Sequence, residues 1–211
     1  KSNYTAEAYL LTASSALERG EYAVAESAAT KSIATGAAPA LAHYIQGYAR
    51  YNQKQYPAAY RSFDAFIGAT PSSDALRRAD ALSRMGDCQL IQKKSAEALA
   101  LYRRADEGMP SGSDEALYRI ATIYGRWGQY PKQIETLDRI IKQHPESTHL
   151  PEVLYDKGRA LVLSKARPET TTAVFDQLLK SYPDTQYARL GAMERAMLAY
   201  NGGRTEEAIK A

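Results

Sequence analysis

Small and large apolar residues recur along the chain with a regular order. An apolar helical segment with a small residue at its centre leads into a turn, and a second segment follows that opens with Tyr or Pro, carries an alanine one turn in and ends at a proline. The central small residues are Ala13, Gly47, Gly86, Ala121, Gly158 and Ala196, spaced by 34, 39, 35, 37 and 38 residues. Because two antiparallel helices cross closely only where the facing positions are small, this order predicts stacked helix pairs.

The prolines support the same division of the chain. The second helix of a pair should begin at Pro57, Pro131 and Pro168, since the missing N–H of proline has no partner in the first turn of a helix. First helices should open at Pro39 and Pro151, and helices should stop before Pro71, Pro110, Pro145 and Pro183. The pattern therefore predicts no strand and helices over 4–19, 21–35, 39–53, 57–69, 73–92, 95–108, 113–127, 131–143, 149–164, 168–181, 185–201 and from 204 onward.

These residues resemble the tetratricopeptide repeat, W-x-x-L-G-x-x-Y followed by A-x-x-x-F and P. The third repeat fits well, with Leu82, Met85, Gly86, Ala98, Tyr102 and Pro110. Others depart from the pattern, with Gln46 and Arg50 at usually apolar positions and with Gln133 and Thr171 where alanine is expected. The resemblance implies an all-α fold, a right-handed superhelical solenoid of about five and a half antiparallel helix pairs, with repeats over 6–39, 40–73, 79–112, 114–147, 151–185 and 189–211, the last incomplete.

Both ends of the sequence bear on its extent. It begins at Lys1 without a methionine and stops at Ala211 inside a predicted helix. Because each solenoid repeat buries one face on its neighbour, a finished solenoid carries a polar cap at each end. We expect a single solenoid over 1–211 that is a fragment of a longer repeat protein, with possible self-association through its uncapped C-terminal end.

Two junctions between repeats resemble those of a narrower class of repeat proteins. Residues 144–151 (HPESTHLP) and 181–188 (SYPDTQYA) resemble junctions of bacterial envelope repeat proteins of the Tol-Pal accessory and outer-membrane assembly lipoprotein type, with Ser or Asp-Thr capping the next helix. The resemblance implies a periplasmic or outer-membrane-anchored scaffold that binds other proteins. The carboxylate clamp of chaperone-binding relatives is not expected, because Leu10 and Ser14 stand where it needs Lys and Asn.

Composition limits the chemistry. The net charge of +3 is too small to indicate binding to nucleic acid. No run of residues reaches the ~20 apolar residues of a membrane span. Cys88 lies in a core-facing stretch and is expected to be a small buried residue, and the three histidines lack the neighbours of a metal site. Phosphate-binding loops and hydrolase motifs are missing from the sequence. We therefore expect no enzyme activity, no cofactor and no metal.

The tyrosines give the sharpest hypothesis about function. Tyr44, Tyr48 and Tyr51 share one face of a first helix, and first helices line the concave groove in this architecture. Similar places in later repeats hold further residues that complete the candidate groove: Tyr118, Arg126, Tyr155, Arg159 and Tyr200. Tyrosine supplies a rigid surface and a hydroxyl that suit a binding site. The same residues could instead serve packing, and both interpretations stay open.

Three functions follow from these observations. The first is a non-catalytic scaffold in a bacterial envelope that holds a segment of a protein or peptide partner in the groove. The second is an architectural or self-associating spacer in a larger chain, with neighbouring helices or a second copy covering the rings. The third is a glycan-binding repeat protein, since tyrosines stack on sugars, although such receptors carry inserted loops that this sequence lacks.

Overall fold

A computed structural model of the chain describes residues 3–36, 40–109, 113–205 and 208. Within these residues the chain forms no β-strand, in agreement with the predicted all-α class. The helices are α1 (Asn3–Glu18), α2 (Tyr22–Ala34), α3 (Ala40–Asn52), α4 (Tyr56–Ala69), α5 (Ala75–Ile91), α6 (Ser95–Glu107), α7 (Asp114–Arg126), α8 (Tyr130–Gln143), α9 (Leu150–Leu163), α10 (Pro168–Ser181) and α11 (Gln186–Asn201). Most of the predicted last helix, from residue 204 onward, lies outside the described residues.

The chain divides into two compact units, Lys1–Pro110 and Ser111–Ala211. In the N-terminal unit α1 packs on α2, α3 on α4 and α5 on α6, while α2 also contacts α3 and α4 contacts α5. In the C-terminal unit α7 packs on α8 and α9 on α10, and α8 and α10 contact the helices that follow them. Each helix thus packs mainly on its neighbours in the chain, which confirms the prediction of helix pairs stacked in sequence.

The small residues at the helix crossings have the predicted role. A Cβ atom added at Gly47 would lie 2.7 Å from the ring of Phe63, and one added at Gly86 would lie 2.6 Å from the ring of Tyr102. At Gly158 the added Cβ would lie 2.4 Å from Phe175. The three rings are fully buried. The absence of a side chain on the first helix therefore makes room for an aromatic ring on the second.

The turn inside each repeat ends the first helix in the same way. One residue of each turn has a positive φ, between 56° and 76°, and these residues are Gly20, Lys54, Lys93, Gly128, Lys165 and Gly203. In each turn the next backbone N–H donates to a carbonyl five residues earlier, as from Gln55 to Arg50 and from Ala166 to Leu161. This is the Schellman arrangement. The six residues keep the spacings of the central small residues, which supports the repeat boundaries independently.

The predicted helix boundaries agree with the structure to within two residues. Proline occupies the first turn of α4, α8, α9 and α10, as predicted. Pro39 and Pro110 lie outside the described residues. The Thr185 hydroxyl caps α11 by accepting from the backbone N–H of Ala188. At the other junction no side chain caps α9 itself. The Ser147 hydroxyl accepts from the backbone N–H of His149, directly before the helix, and donates to Asp114 at the start of α7.

The polar departures in the second repeat belong to a network among α2, α3 and α4. The buried Gln46 amide donates to Thr30 and accepts from the Ser62 hydroxyl, both at 2.9 Å. The Arg50 guanidinium donates to Ser62 and pairs with Glu26 at 2.9 Å. Polar side chains replace apolar ones here at little cost because each of them has a hydrogen-bond partner.

Candidate functional site

Two tyrosines of α3 share one acceptor on α5. The hydroxyls of Tyr44 and Tyr48 each donate to Oδ2 of Asp80 at 2.6 Å. The acceptor lies one repeat further along the chain, so the two bonds join the first helices of consecutive repeats. Burial, together with the Asp80 carboxylate, raises the pKa of both phenols well above their ordinary value. Both hydroxyls therefore remain protonated donors.

A second contact joins the same two helices. The Tyr51 hydroxyl donates to Oδ2 of Asp87 at 3.2 Å, and the buried Tyr102 hydroxyl donates to Oδ1 of the same carboxylate at 2.7 Å. Arg84 pairs with Asp87 at 2.7 Å and lies 3.6 Å from Asp80. We call the set of Tyr44, Tyr48, Tyr51, Asp80 and Asp87 the tyrosine–aspartate clasp.

The rings of the clasp also pack on the core. The Tyr44 and Tyr48 ring centroids are 5.1 Å apart, with Tyr44 4.9 Å from Phe66 and Tyr48 5.4 Å from Phe63. The three tyrosines of α3 are half-buried. Their hydroxyls and much of their ring surface are thus engaged within the N-terminal unit, an arrangement that suits a structural role. Partner binding by Tyr44, Tyr48 and Tyr51 stays a prediction.

The C-terminal unit has a pocket that brings two of the predicted residues together. Its volume is about 210 Å³, and it opens among α7, α8 and α9. Arg126 at the end of α7 and Arg159 on α9 both line it. The other lining residues are Thr122, Gly125, Tyr130, Gln133, Asp156, Ala160 and Leu163. The pocket is smaller than a cofactor site and is of the size that a side chain would enter.

The two arginines differ in their surroundings. Arg126 is exposed and makes no ion pair with a described residue. Arg159 is 49% exposed, and its Nε lies 3.5 Å from Glu194 on α11, a spacing typical of a weak surface ion pair. Within the pocket, two guanidinium groups face one carboxylate, that of Asp156.

A buried amide completes the polar part of the pocket. Gln133 on α8 is 9% exposed, and its side chain makes no hydrogen bond to a described residue. Gly125 makes room for this amide, since a Cβ there would lie 2.7 Å from Nε2 of Gln133. The amide lines the open pocket and so remains within reach of water. A polar group bound in the pocket can therefore replace that water as the hydrogen-bond partner of Gln133.

Tyr118 repeats the clasp geometry beside the pocket. Its hydroxyl donates to Oδ2 of Asp156 at 2.9 Å, again one repeat further along the chain. Its ring stacks on His149, with 5.9 Å between the ring centroids and 5° between their planes. Burial raises the pKa of Asp156, against the hydrogen bond from Tyr118, which acts to lower it. Tyr118 thus positions a carboxylate of the pocket wall.

The two remaining predicted residues do not line this pocket. Tyr155 packs partly buried against Tyr187, with 6.0 Å between ring centroids. Tyr200 is 66% exposed and lies on one face of α11 with Met193 and Met197, which are 65% and 60% exposed. Tyr155 and Tyr200 therefore do not line the pocket with Arg126 and Arg159.

Sequence reasoning missed Asp156, Tyr130 and Gln133 as pocket residues. A signal existed for Gln133, which departs from the alanine of the repeat pattern. For Asp156 the signal is an acidic residue one repeat beyond a first-helix tyrosine, since Tyr44, Tyr51 and Tyr118 donate to acids 36, 36 and 38 residues ahead.

Comparison with known proteins finds repeats of one type in two segments of the chain. Residues 10–74 and residues 115–147 each match a sequence model described as a tetratricopeptide repeat. These two segments resemble tetratricopeptide repeats, and together they span a little under half of the chain. No curated protein matches the chain in sequence.

Several solved structures share the fold. The C-terminal part of a repeat protein from Cytophaga hutchinsonii matches with a TM-score of 0.76 and 17% identity, over 92% of this chain and 72% of that one. MamA from Desulfovibrio magneticus matches with a TM-score of 0.70 and 20% identity, over 86% and 97% of the chains. YrrB, described as having an unusual peptide-binding site, gives 0.67 and 18%, over 85% and 88%.

The other chemical groups of the described residues form no recognisable reactive or metal site. Cys88 is fully buried, as predicted, and burial raises the pKa of its thiol to about 12, far from that of a reactive cysteine. In the described part of the chain, no group of three or more His, Cys, Asp or Glu side chains could hold a metal ion. No helix among the described residues has the length and apolar content needed to cross a membrane.

Proposed function

We propose that this tetratricopeptide repeat protein is a non-catalytic scaffold whose first-helix surface holds a segment of a partner protein. The pocket of the C-terminal unit carries this proposal. It is open, it is lined from three helices, and it presents Arg126 and the buried Gln133 amide without partners among the described residues. Polar groups that converge on an open pocket are typical of a recognition site.

The location of the scaffold is part of the proposal. The segments 144–151 and 181–188 resemble junctions of bacterial envelope repeat proteins. We therefore propose a periplasmic or outer-membrane-anchored protein with a partner in the same compartment. The peptide-binding site named for YrrB, a protein of similar fold, supports a peptide or protein as the bound molecule.

Selection from a random peptide display library tests the scaffold function without knowledge of the partner. We expect the chain to enrich peptides that bind with micromolar dissociation constants, and the Arg126→Ala/Arg159→Ala variant to lose about tenfold or more in affinity. The matched control is Arg61→Ala/Arg189→Ala, which removes the same charge from two exposed residues outside the pocket. Failure to enrich any peptide, or equal losses in both variants, would contradict the proposal.

A self-associating spacer is the second candidate. The exposed face formed by Met193, Met197 and Tyr200 on α11 favours it, because contiguous apolar side chains on a helix face mark interaction surfaces. The hydrogen bonds of the α3 tyrosines within the clasp also favour an architectural role for the chain. Sedimentation analysis of the chain at increasing concentration distinguishes this candidate from a monomeric scaffold.

A further inference from the structure

The charge of the pocket in the C-terminal unit indicates what it binds. The pocket lining holds two guanidinium groups, of Arg126 and Arg159, and one carboxylate, of Asp156. Arg159 also has the Glu194 carboxylate at 3.5 Å, whereas Arg126 makes no ion pair with a described residue. The Asp156 carboxylate already accepts a hydrogen bond from Tyr118. The single unpaired guanidinium of Arg126 favours a ligand with one negative charge over a doubly charged phosphate.

The donor geometry agrees with the charge. A guanidinium presents paired N–H groups that match the two oxygens of a carboxylate. Gln133 adds an amide that has no hydrogen bond to a described residue, and its NH₂ group donates. The apolar part of the lining, Ala160 and Leu163, suits a short methylene stem. A volume of about 210 Å³ leaves space for one side chain, not for a folded element.

On this basis we infer that the pocket is a subsite for one acidic side chain, from a Glu or Asp within the bound segment of a partner. The inference rests on the proposed scaffold function and names the residue class that the segment must carry. Arg126 and Arg159 hold the carboxylate, and the Gln133 amide donates to it from the pocket floor. The subsite uses α7, α8 and α9, and it reads a side chain inside a segment, not a free chain end.

A neighbouring carboxylate should weaken the binding of an acidic side chain to Arg159. The Glu194 carboxylate lies 3.5 Å from Nε of Arg159 and competes with an incoming carboxylate for that guanidinium. Removal of its charge should therefore tighten binding. If Glu194 had only a packing role, removal of its charge would not tighten the binding of a carboxylate.

The test is a nuclear magnetic resonance titration of the full chain with N-acetyl-glutamate amide, which carries a side-chain carboxylate and no free chain end. We expect saturable shifts of the Gln133 side-chain NH₂ and of the Arg126 and Arg159 Nε–H signals, with a millimolar dissociation constant. The neutral isostere N-acetyl-glutamine amide should cause no saturable shift. N-acetylglycine, whose carboxylate is a chain end, should bind at least about fivefold more weakly.

Variants give the matched controls. Arg126→Ala should weaken binding of N-acetyl-glutamate amide about tenfold, Glu194→Gln should strengthen it about twofold, and Arg61→Ala should leave it unchanged. Equal shifts with the glutamine compound, tighter binding of N-acetylglycine, or loss of affinity in Glu194→Gln would each overturn the subsite.

The outcomes separate the subsite from the scaffold function. Peptides that bind through the arginines but keep their affinity when every Glu and Asp is replaced by Gln and Asn would overturn the acidic subsite alone. Binding of N-acetyl-glutamate amide at the pocket, with no peptide enriched from the library, would support the subsite and contradict the scaffold.

Discussion

Glycines of the second repeat occupy two different environments. The backbone of Gly47 on α3 lies against the buried ring of Phe63, which a Cβ would approach to 2.7 Å. Gly68, near the end of α4, has no atom within 4 Å of the place where its Cβ would stand. Comparison of the two positions distinguishes the packing role of a glycine from its effect on the helix backbone.

Substitution by alanine should have opposite effects at the two glycines. Gly47→Ala forces the Phe63 ring or the α3 backbone to move in a close-packed crossing, and should lower the free energy of unfolding by about 1–3 kcal/mol. Gly68→Ala restricts the unfolded chain without a clash, and should leave stability unchanged or raise it by up to about 1 kcal/mol. Urea unfolding followed by circular dichroism measures both. Equal stability of the two variants would contradict the packing role.

At the scale of elements, the tyrosine–aspartate clasp joins α3 to α5 by side-chain hydrogen bonds. Both Tyr44 and Tyr48 donate to a single oxygen of Asp80. Such bonds fix the position of one first helix against the next, in addition to the apolar contacts between α4 and α5. Removal of the acceptor would leave two half-buried hydroxyls without their partner.

Loss of the clasp should destabilise the N-terminal unit. Asp80→Ala should lower the free energy of unfolding by about 2 kcal/mol, because hydrogen bonds to a charged group contribute more than neutral ones. Asp64→Ala, at an exposed position of α4, should change it by less than about 0.5 kcal/mol. In a double-mutant cycle, Tyr44→Phe and Asp80→Ala should couple by about 1 kcal/mol. Additive effects would show that the contact contributes nothing.

The helices were predictable from sequence because their signals are local. Prolines mark the first turns of α4, α8 and α10, and small residues mark the crossings. Lysines with positive φ, at Lys54, Lys93 and Lys165, carry no such signal, since glycine is the usual residue there. Their place in the turns follows only from the repeat spacing.

The candidate site was less predictable because its contacts cross helices. Arg126 and Arg159 were identified from their first-helix positions, and the structure brings them to one pocket. The partner of Tyr118 and the environment of Gln133 depend on helices that are distant in sequence. In the sequence of a single helix, a tyrosine that binds a partner cannot be distinguished from a tyrosine that donates to the next repeat.

At the scale of the whole molecule, the exposed face of α11 is the surface through which we expect the chain to self-associate. Met193, Met197 and Tyr200 present apolar surface on a single helix face. Such a face buries less than the ~1,200 Å² of a standard stable interface, so the expected association is weak. Symmetric pairing of two copies is the simplest way to cover it.

We expect sedimentation equilibrium to show a monomer–dimer equilibrium with a dissociation constant in the high micromolar range. Met193→Gln/Met197→Gln should abolish the dimer and keep the helix content, because glutamine has a helix propensity close to that of methionine. The control Leu11→Gln/Leu76→Gln removes two similarly exposed apolar side chains from the N-terminal unit and should leave the equilibrium unchanged.

If the chain remains monomeric at the highest concentration, the function as a self-associating spacer loses its support and the function as a scaffold is favoured. A dimer that survives the Met193→Gln/Met197→Gln change would place the contact elsewhere on the chain, because a face stripped of its two methionines has too little apolar area to hold a second copy.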